Sequence, residues 1–162
     1  MQSSVSIFFN EMDSGSENVQ RVTFNQLQNC LVGTIQADLD ARMLERFQSD
    51  LLSLLNETRT PWLVLDCSGV EVLDLADFEG LRRIIAMASL MGTRSVIAGL
   101  RPGVVSSLIQ LDADTSGLDT ALSLALALER VHRGKIGPGE EEERDGAPEA
   151  DGEDGRDSWR DS

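Results

Sequence analysis

Hydrophobic positions near the start of the chain first alternate with polar ones and then recur at helical spacing. Residues 22–28 and 30–35 look like two strands, and the short Gln28-Asn29 pair between them predicts a hairpin. Asp38 follows at the position of a helix N-cap, and apolar residues recur every three or four positions as far as Leu55. This spacing predicts an amphipathic helix of about four turns.

The remaining apolar runs predict strands and helices in alternation. Residues 62–67 are almost continuously apolar, which is typical of a strand covered on both faces, and residues 95–99 repeat that pattern. A helix between them begins at Asp74 or Asp77, either of which can cap it, and ends near Gly92. The other predicted elements are a short helix from Pro102, a strand within residues 118–123 and a helix over residues 124–133.

This order of elements, a hairpin followed by repeated strand–helix units, predicts an α/β fold. Connections that pass through helices join parallel strands, whereas the hairpin adds an antiparallel pair. We therefore expect a mixed, mostly parallel sheet of about five strands covered by about four helices.

Charge divides the chain into three parts. Its 162 residues carry a net charge of −14, and residues 134–162 hold 11 acidic and four basic residues with few large apolar ones. Such a segment cannot bury enough surface to fold, so we expect a disordered acidic tail at residues 134–162. It is expected to solubilise the protein, with docking by Trp159 as the alternative. Residues 1–20 are expected to form a flexible arm and residues 21–133 one domain.

The negative charge also bears on location and partners. It disfavours binding to nucleic acid and to anionic membrane surfaces, since both repel an acidic protein. The chain has neither an apolar run of membrane-spanning length nor the pattern of a secretion signal. Cys30 and Cys67 lie in apolar runs, as buried reduced thiols do. We expect a cytoplasmic protein.

The sequence lacks the residues that most catalytic sites and metal sites need. His132 is the one histidine and lies at the end of a predicted helix, where a cation interacts favourably with the helix dipole. It forms no recognised zinc spacing with the two cysteines, and no glycine-rich phosphate loop is present. Asp66 could imitate the phosphoacceptor of a receiver domain, but the chain's single lysine, Lys135, lies in the acidic tail. We expect no enzyme activity, no cofactor and no metal.

Three segments together resemble a STAS domain. They are residues 31–40 (LVGTIQADLD), 64–74 (VLDCSGVEVLD) and 96–102 (VIAGLRP), and the resemblance extends over most of residues 22–133. The chain is most similar to the RsbS-type anti-sigma factor antagonists of bacterial stressosomes. The resemblance implies a protein-binding module whose partners are a serine/threonine switch kinase of the GHKL type and paralogous STAS proteins. It also implies a homo- or hetero-oligomer.

The resemblance further implies a binding surface at the start of the second predicted helix. In this family a serine or threonine that follows an aspartate there accepts phosphate, which breaks the contact with a partner. Counted without a gap between Asp66 and Pro102, that position is Leu75, after Asp74, and residues 70–81 contain no serine or threonine. We therefore predict partner binding without the usual phosphorylation, and a turn role for Ser68.

The candidate partner-binding residues fall in two groups. Five surround the start of the helix, where Leu75 is expected to be exposed and Phe78 mostly buried. Asp38 and Asp40 form the second group, although capping is the ordinary role of a carboxylate at a helix start. The full set is Asp74, Leu75, Ala76, Asp77, Phe78, Asp38 and Asp40.

Two other functions stay open from the sequence. STAS domains also serve lipid and anion transport, so an accessory subunit of a membrane transport system is the main alternative. A nucleotide sensor is less favoured, because the chain lacks a loop that would cradle phosphate.

Overall fold

One sheet organises the described part of the chain, which comprises residues 5–7, 22–36 and 38–134 of a computed structural model. Six strands and four helices are found within it. In chain order they are β1 (Val5–Ile7), β2 (Val22–Leu27), β3 (Cys30–Ile35), α1 (Ala41–Thr58), β4 (Trp62–Asp66), α2 (Leu75–Leu90), β5 (Arg94–Ala98), α3 (Pro102–Gln110), β6 (Asp119–Ala121) and α4 (Leu124–His132).

The strands lie side by side in the order in which they occur along the chain. The β1–β2 and β2–β3 pairs are antiparallel, and the β3–β4, β4–β5 and β5–β6 pairs are parallel. The predicted hairpin is confirmed, since Leu27 pairs with Cys30 across Gln28-Asn29. The α/β class, the mostly parallel sheet and the four helices are confirmed as well.

The first strand differs from the expectation for the N-terminus. We expected a loose arm over residues 1–20, and this is wrong at Val5–Ile7, which pairs with Phe24–Gln26 of β2. The hairpin leaves one edge of β2 with unpaired backbone groups, and an extended segment can satisfy them. The rest of that arm, and the acidic tail after Gly134, lie outside the described residues.

The two faces of the sheet are covered unequally. The three crossover helices α1, α2 and α3 share one buried cluster with β2–β5, as right-handed crossovers that advance in one direction require. On the other face α4 packs on a smaller cluster through Ala127 and Val131. Successive side chains of a strand point to opposite faces, so Leu65 lies in the large layer and Val64 in the small one.

The ends of the helices are capped by residues near those expected. Asp40, and not Asp38, caps α1, since its Oδ1 accepts a hydrogen bond from the Met43 N–H at 2.8 Å. The N-cap prediction for Asp38 is therefore wrong by two positions. Asp74 caps α2, and Gly92 follows that helix with a φ of 85°, as the expected C-terminal signal.

Both cysteines are free thiols in the interior. Cys30 belongs to the cluster beneath α4, and Cys67 to the cluster beneath the crossover helices. Burial raises the pKa of the Cys30 thiol to about 11. Burial, with a smaller contribution from the Asp66 charge, raises the pKa of the Cys67 thiol to about 12. Among the described residues, none of the helices combines the length and apolar character that a bilayer crossing needs.

A close approach of two loops fixes the edge of the sheet where the strands end. A Cβ placed on Gly69 would lie 2.7 Å from the backbone oxygen of Ile35 and 2.8 Å from Cα of Gln36. These are backbone atoms, which cannot rotate away as the end of a side chain can. Glycine at position 69 therefore lets the loop after β4 rest directly on the end of β3.

Replacing Gly69 should show how much stability this contact carries. We expect Gly69→Ala to lower the free energy of unfolding by about 1–3 kcal/mol, the range for overpacking a close-packed site. Urea-induced unfolding followed by circular dichroism measures the change.

Gly103 provides a matched control, because it is exposed in the first turn of α3 and a Cβ there meets nothing within 4 Å. Gly103→Ala should leave stability unchanged or raise it by up to about 1 kcal/mol, since alanine is the better helix former. Equal effects of the two substitutions would contradict the role given to Gly69.

Candidate functional site

The candidate partner surface begins where the loop after β4 becomes α2. Asp74 ends the loop in an extended conformation, and its Oδ1 accepts a hydrogen bond from the Asp77 N–H at 2.8 Å. Leu75 is thus the first helical residue. Its backbone position is fixed by a cap directly before it.

Asp38 connects this loop to the segment that follows β3. One of its carboxylate oxygens, Oδ1, accepts from the N–H groups of Glu71 and Val72 at 3.1 and 2.8 Å. A carboxylate that accepts two backbone N–H groups forms charge-assisted hydrogen bonds, which are stronger than neutral ones. Asp38 therefore serves to position the loop. The sequence missed this role because the partners lie more than 30 residues away.

Arg101 holds the same loop from the side of β5. Its Nε donates to the backbone oxygen of Ser68, and its Nη1 donates to Oε1 of Glu71, each at 3.0 Å. The Ser68 N–H in turn donates to Oδ1 of Asp66 at 3.1 Å. The backbone of Ser68 is therefore fixed in a turn at the end of β4. Nothing in the sequence around Arg101 marked it as an anchor.

The side chains at the start of α2 differ in exposure. Phe78 is 1% exposed, which confirms that it belongs to the core. Ala76 is exposed, but Leu75 is half-buried, so the expectation of an exposed Leu75 is wrong. Leu75 lies at the junction of loop and helix. Val72, which the sequence analysis did not single out, is 65% exposed.

Three carboxylates lie close enough to interact. The pKa of Asp77 is raised, first by partial burial and then by the charges of Asp74 and Asp40. Asp40, from the start of α1, is therefore electrostatically coupled to the start of α2. Like charges brought together in this way weaken one another's ionised form. We call the set of Val72, Leu75, Ala76, Asp40, Asp74 and Asp77 the α2 surface.

The α2 surface offers binding chemistry. Among the described residues no group of three or more histidine, cysteine, aspartate or glutamate side chains is arranged to hold a metal ion. His132 lies on α4, where its Nδ1 is 2.7 Å from the backbone oxygen of Leu128. The α2 surface combines exposed apolar side chains with carboxylates, and exposed apolar area of this kind can be buried against another protein.

A curated relative from Bacillus subtilis is similar to part of this chain. The RsbT co-antagonist protein RsbRB is 30% identical over 91 residues, which cover 56% of this chain and 33% of that protein. The chain thus spans about a third of the length of this curated relative. The similarity concerns one part of a longer protein.

Solved structures show the same fold. A serine-to-glutamate form of RsbS from Moorella thermoacetica matches with a TM-score of 0.61 and 29% identity, over 70% of this chain and 97% of that one. A structure described as the molecular architecture of the stressosome matches with a TM-score of 0.56 and 25% identity, over 68% and 96%. The STAS-domain family model matches residues 21–127, and the chain therefore belongs to the STAS-domain family, with relatives among the RsbR and RsbS stressosome proteins.

Proposed function

We propose that this protein is a non-catalytic binding module of a stressosome-type, partner-switching pathway, which binds its partners through the α2 surface without a phosphorylation switch there. The observation that carries the proposal is Leu75, the first residue of α2. It occupies the position at which the family resemblance places a serine or threonine. A leucine side chain has no oxygen to which phosphate can be transferred.

The geometry around Leu75 supports a binding role. The loop that precedes it is held by Asp38 on one side and by Arg101 on the other. A surface held in this way loses little conformational freedom when a partner binds. Val72 and Ala76 add exposed apolar area next to the half-buried Leu75.

The charges suggest the character of the partner. Asp40, Asp74 and Asp77 surround the apolar centre with negative charge, so a partner with a basic surface would be attracted to it. We expect a serine/threonine switch kinase of the GHKL type and paralogous STAS proteins. The name of the relative RsbRB describes it as a co-antagonist of RsbT, which supports binding to another protein.

A phosphorylated antagonist would release its partner, whereas this surface stays unmodified. Phosphate adds a charge of about −1.5 to −2 and three strong acceptor oxygens at one point. Asp74 and Asp77 are single carboxylates, of which Asp74 already caps the helix. The protein would act as a constitutive scaffold or sequestering subunit. The accessory subunit of a transport system stays the alternative prediction.

The first prediction concerns phosphate transfer. With a switch kinase encoded in the same genome and ATP, the native chain should gain no phosphate within residues 68–81, whereas Leu75→Ser should become labelled at the new hydroxyl. Mass spectrometry of tryptic peptides locates the phosphate. A STAS antagonist that carries the family's serine serves as a positive control. Rapid stoichiometric labelling of Ser68 in the native chain would overturn the proposal.

The second prediction concerns affinity for a partner. Leu75→Glu should weaken binding by about tenfold or more, since about 1.4 kcal/mol corresponds to a factor of ten. The fold should persist, because Leu75 does not belong to the buried core. Calorimetry with the co-purifying kinase or STAS paralogue measures the change.

Leu90→Glu is the matched control for this substitution. Leu90 is 90% exposed at the far end of the same helix, so the change adds the same charge away from the α2 surface. If both variants bind as the native chain does, the partner contacts another surface.

The third prediction concerns the carboxylate cluster. Because the pKa of Asp77 is raised in the folded state, its ionisation opposes folding, and this cost appears as the pH rises through that pKa. Asp77→Asn should therefore gain stability relative to the native chain at neutral pH and lose this advantage below pH 3.8, the ordinary pKa of the group. Urea unfolding at both pH values measures the difference.

The same variant tests why the cluster is present. Asp77→Asn should bind a basic partner more slowly and with a weaker dependence on salt, since rim charges mainly affect association rates. Faster association of Asp77→Asn would contradict a basic partner surface.

A further inference from the structure

An apolar pocket lies at the β6 edge of the sheet, apart from the α2 surface. Its volume is about 410 Å³, within the range of pockets that hold small organic groups. The end of β5, α3 and β6 form its walls, with Ile97, Leu108 and Ala121 among the lining residues. Phe78 lines it from the first turn of α2.

Apolar side chains at the mouth of this pocket are exposed to water. Leu122 is 88% exposed, Ile109 is 64% exposed and Val105 is 43% exposed. All three line the pocket, so they form one patch and are not scattered singly over the surface. An exposed apolar patch that opens into a pocket of this volume is suited to a bulky apolar group.

The one charged side chain that lines the pocket is a cation. Arg130 projects from α4, and its Nη1 donates to the backbone oxygen of Thr120 at 2.6 Å. A guanidinium has five N–H donors, and one such bond fixes the group at the rim. The pocket therefore favours an apolar group that has acidic residues beside it.

A group of this kind belongs to the chain itself. The described residues end at Gly134, one turn of helix beyond Arg130, and the segment that follows has a net charge of −7. Trp159 is the only aromatic residue in that segment, and Asp157 and Asp161 flank it together with Arg160.

The segment between Gly134 and Trp159 is long enough for the indole to reach the pocket. Trp159 lies 25 positions after Gly134, and random-coil statistics give 25 residues a root-mean-square span of about 25–30 Å. The segment leaves the domain near the pocket, since Arg130 and Gly134 are close in the chain. A tethered group of this kind is present at an effective concentration in the millimolar range.

We propose that Trp159 occupies this pocket in the same chain, with Arg130 next to the acidic residues that flank the indole. The indole covers the exposed part of Leu122 and Ile109, and the acidic segment lies along α4. Because Phe78 lines the pocket and belongs to the first turn of α2, an occupied pocket also restrains the helix that carries the α2 surface.

Fluorine NMR on the full chain tests this directly. The protein contains two tryptophans, Trp62 and Trp159, so incorporation of 5-fluorotryptophan gives two resonances, and Trp159→Phe assigns them. The change in chemical shift between H₂O and D₂O reports how far each ring is exposed to solvent. We expect the Trp159 resonance to show less than half of the change seen for free fluorotryptophan. Trp62 is 8% exposed and provides the reference for a buried ring.

Matched variants locate the contact. Leu122→Glu should restore the full solvent response of Trp159, since it places a like charge in the mouth of the pocket, and Arg130→Gln should restore part of it. Leu90→Glu alters a side chain of equal exposure outside the pocket and should change nothing. Circular dichroism confirms that the variants remain folded.

Any of three other outcomes would overturn the proposal. A Trp159 resonance with the full solvent response in the native chain shows that the pocket is not occupied by it. Protection that disappears on dilution shows docking between two copies. Protection that persists in Leu122→Glu places the indole elsewhere. None of these measurements uses a partner protein. A result that contradicts docking of Trp159 therefore leaves the proposed function untouched.

Discussion

The contact between the loop after β4 and the end of β3 is the constraint on which the α2 surface depends. Gly69 allows the two backbones to touch. The start of α1 lies near the start of α2, since the charge of Asp40 acts on Asp77. Each helix start presents unpaired N–H groups and a positive dipole end, which a carboxylate satisfies. Asp40 and Asp74 supply these carboxylates. The negative charge of the surface is thus partly a consequence of capping two adjacent helices.

Loop anchoring and charge at this site have opposite effects on stability. Asp38 and Arg101 add charge-assisted hydrogen bonds that fix the loop, whereas burial and then the charges of Asp74 and Asp40 raise the pKa of Asp77 and disfavour its ionised form. If this surface were purely structural, replacing Asp77 by a neutral residue would increase the stability of the fold. Its presence is consistent with the proposed binding of a basic partner, at a cost in folding free energy.

The periodicity of the chain was sufficient to predict the fold, because each element buries a distinct pattern. Apolar spacing alone predicts the strand at residues 62–67 and the helix α2. It also places Phe78 in the core, as the structure shows. Contacts between distant residues were beyond such reasoning. Asp38 was taken as a cap because its partners, Glu71 and Val72, are remote in the sequence.

The strand at Val5–Ile7 and the partial burial of Leu75 also differ from the expectations, and neither is encoded in a local sequence pattern. Val5–Ile7 gained a strand through backbone pairing with β2, which needs only an extended segment and leaves a weak signal in composition. Leu75 is half-buried at the junction of loop and helix, and no local sequence pattern encodes its exposure. The candidate site residues around α2 came from the family resemblance, and their role in binding stays a prediction.

The placement of the two thiols gives the folded chain a pair of internal reporters. Cys30 lies in the layer beneath α4, and Cys67 in the layer beneath the crossover helices. Both have raised pKa values and little thiolate at neutral pH, so alkylating reagents reach them mainly when the surrounding layer opens. The relative rates at which the two sulfurs are alkylated would therefore distinguish detachment of α4 from opening of the larger layer, without any engineered label.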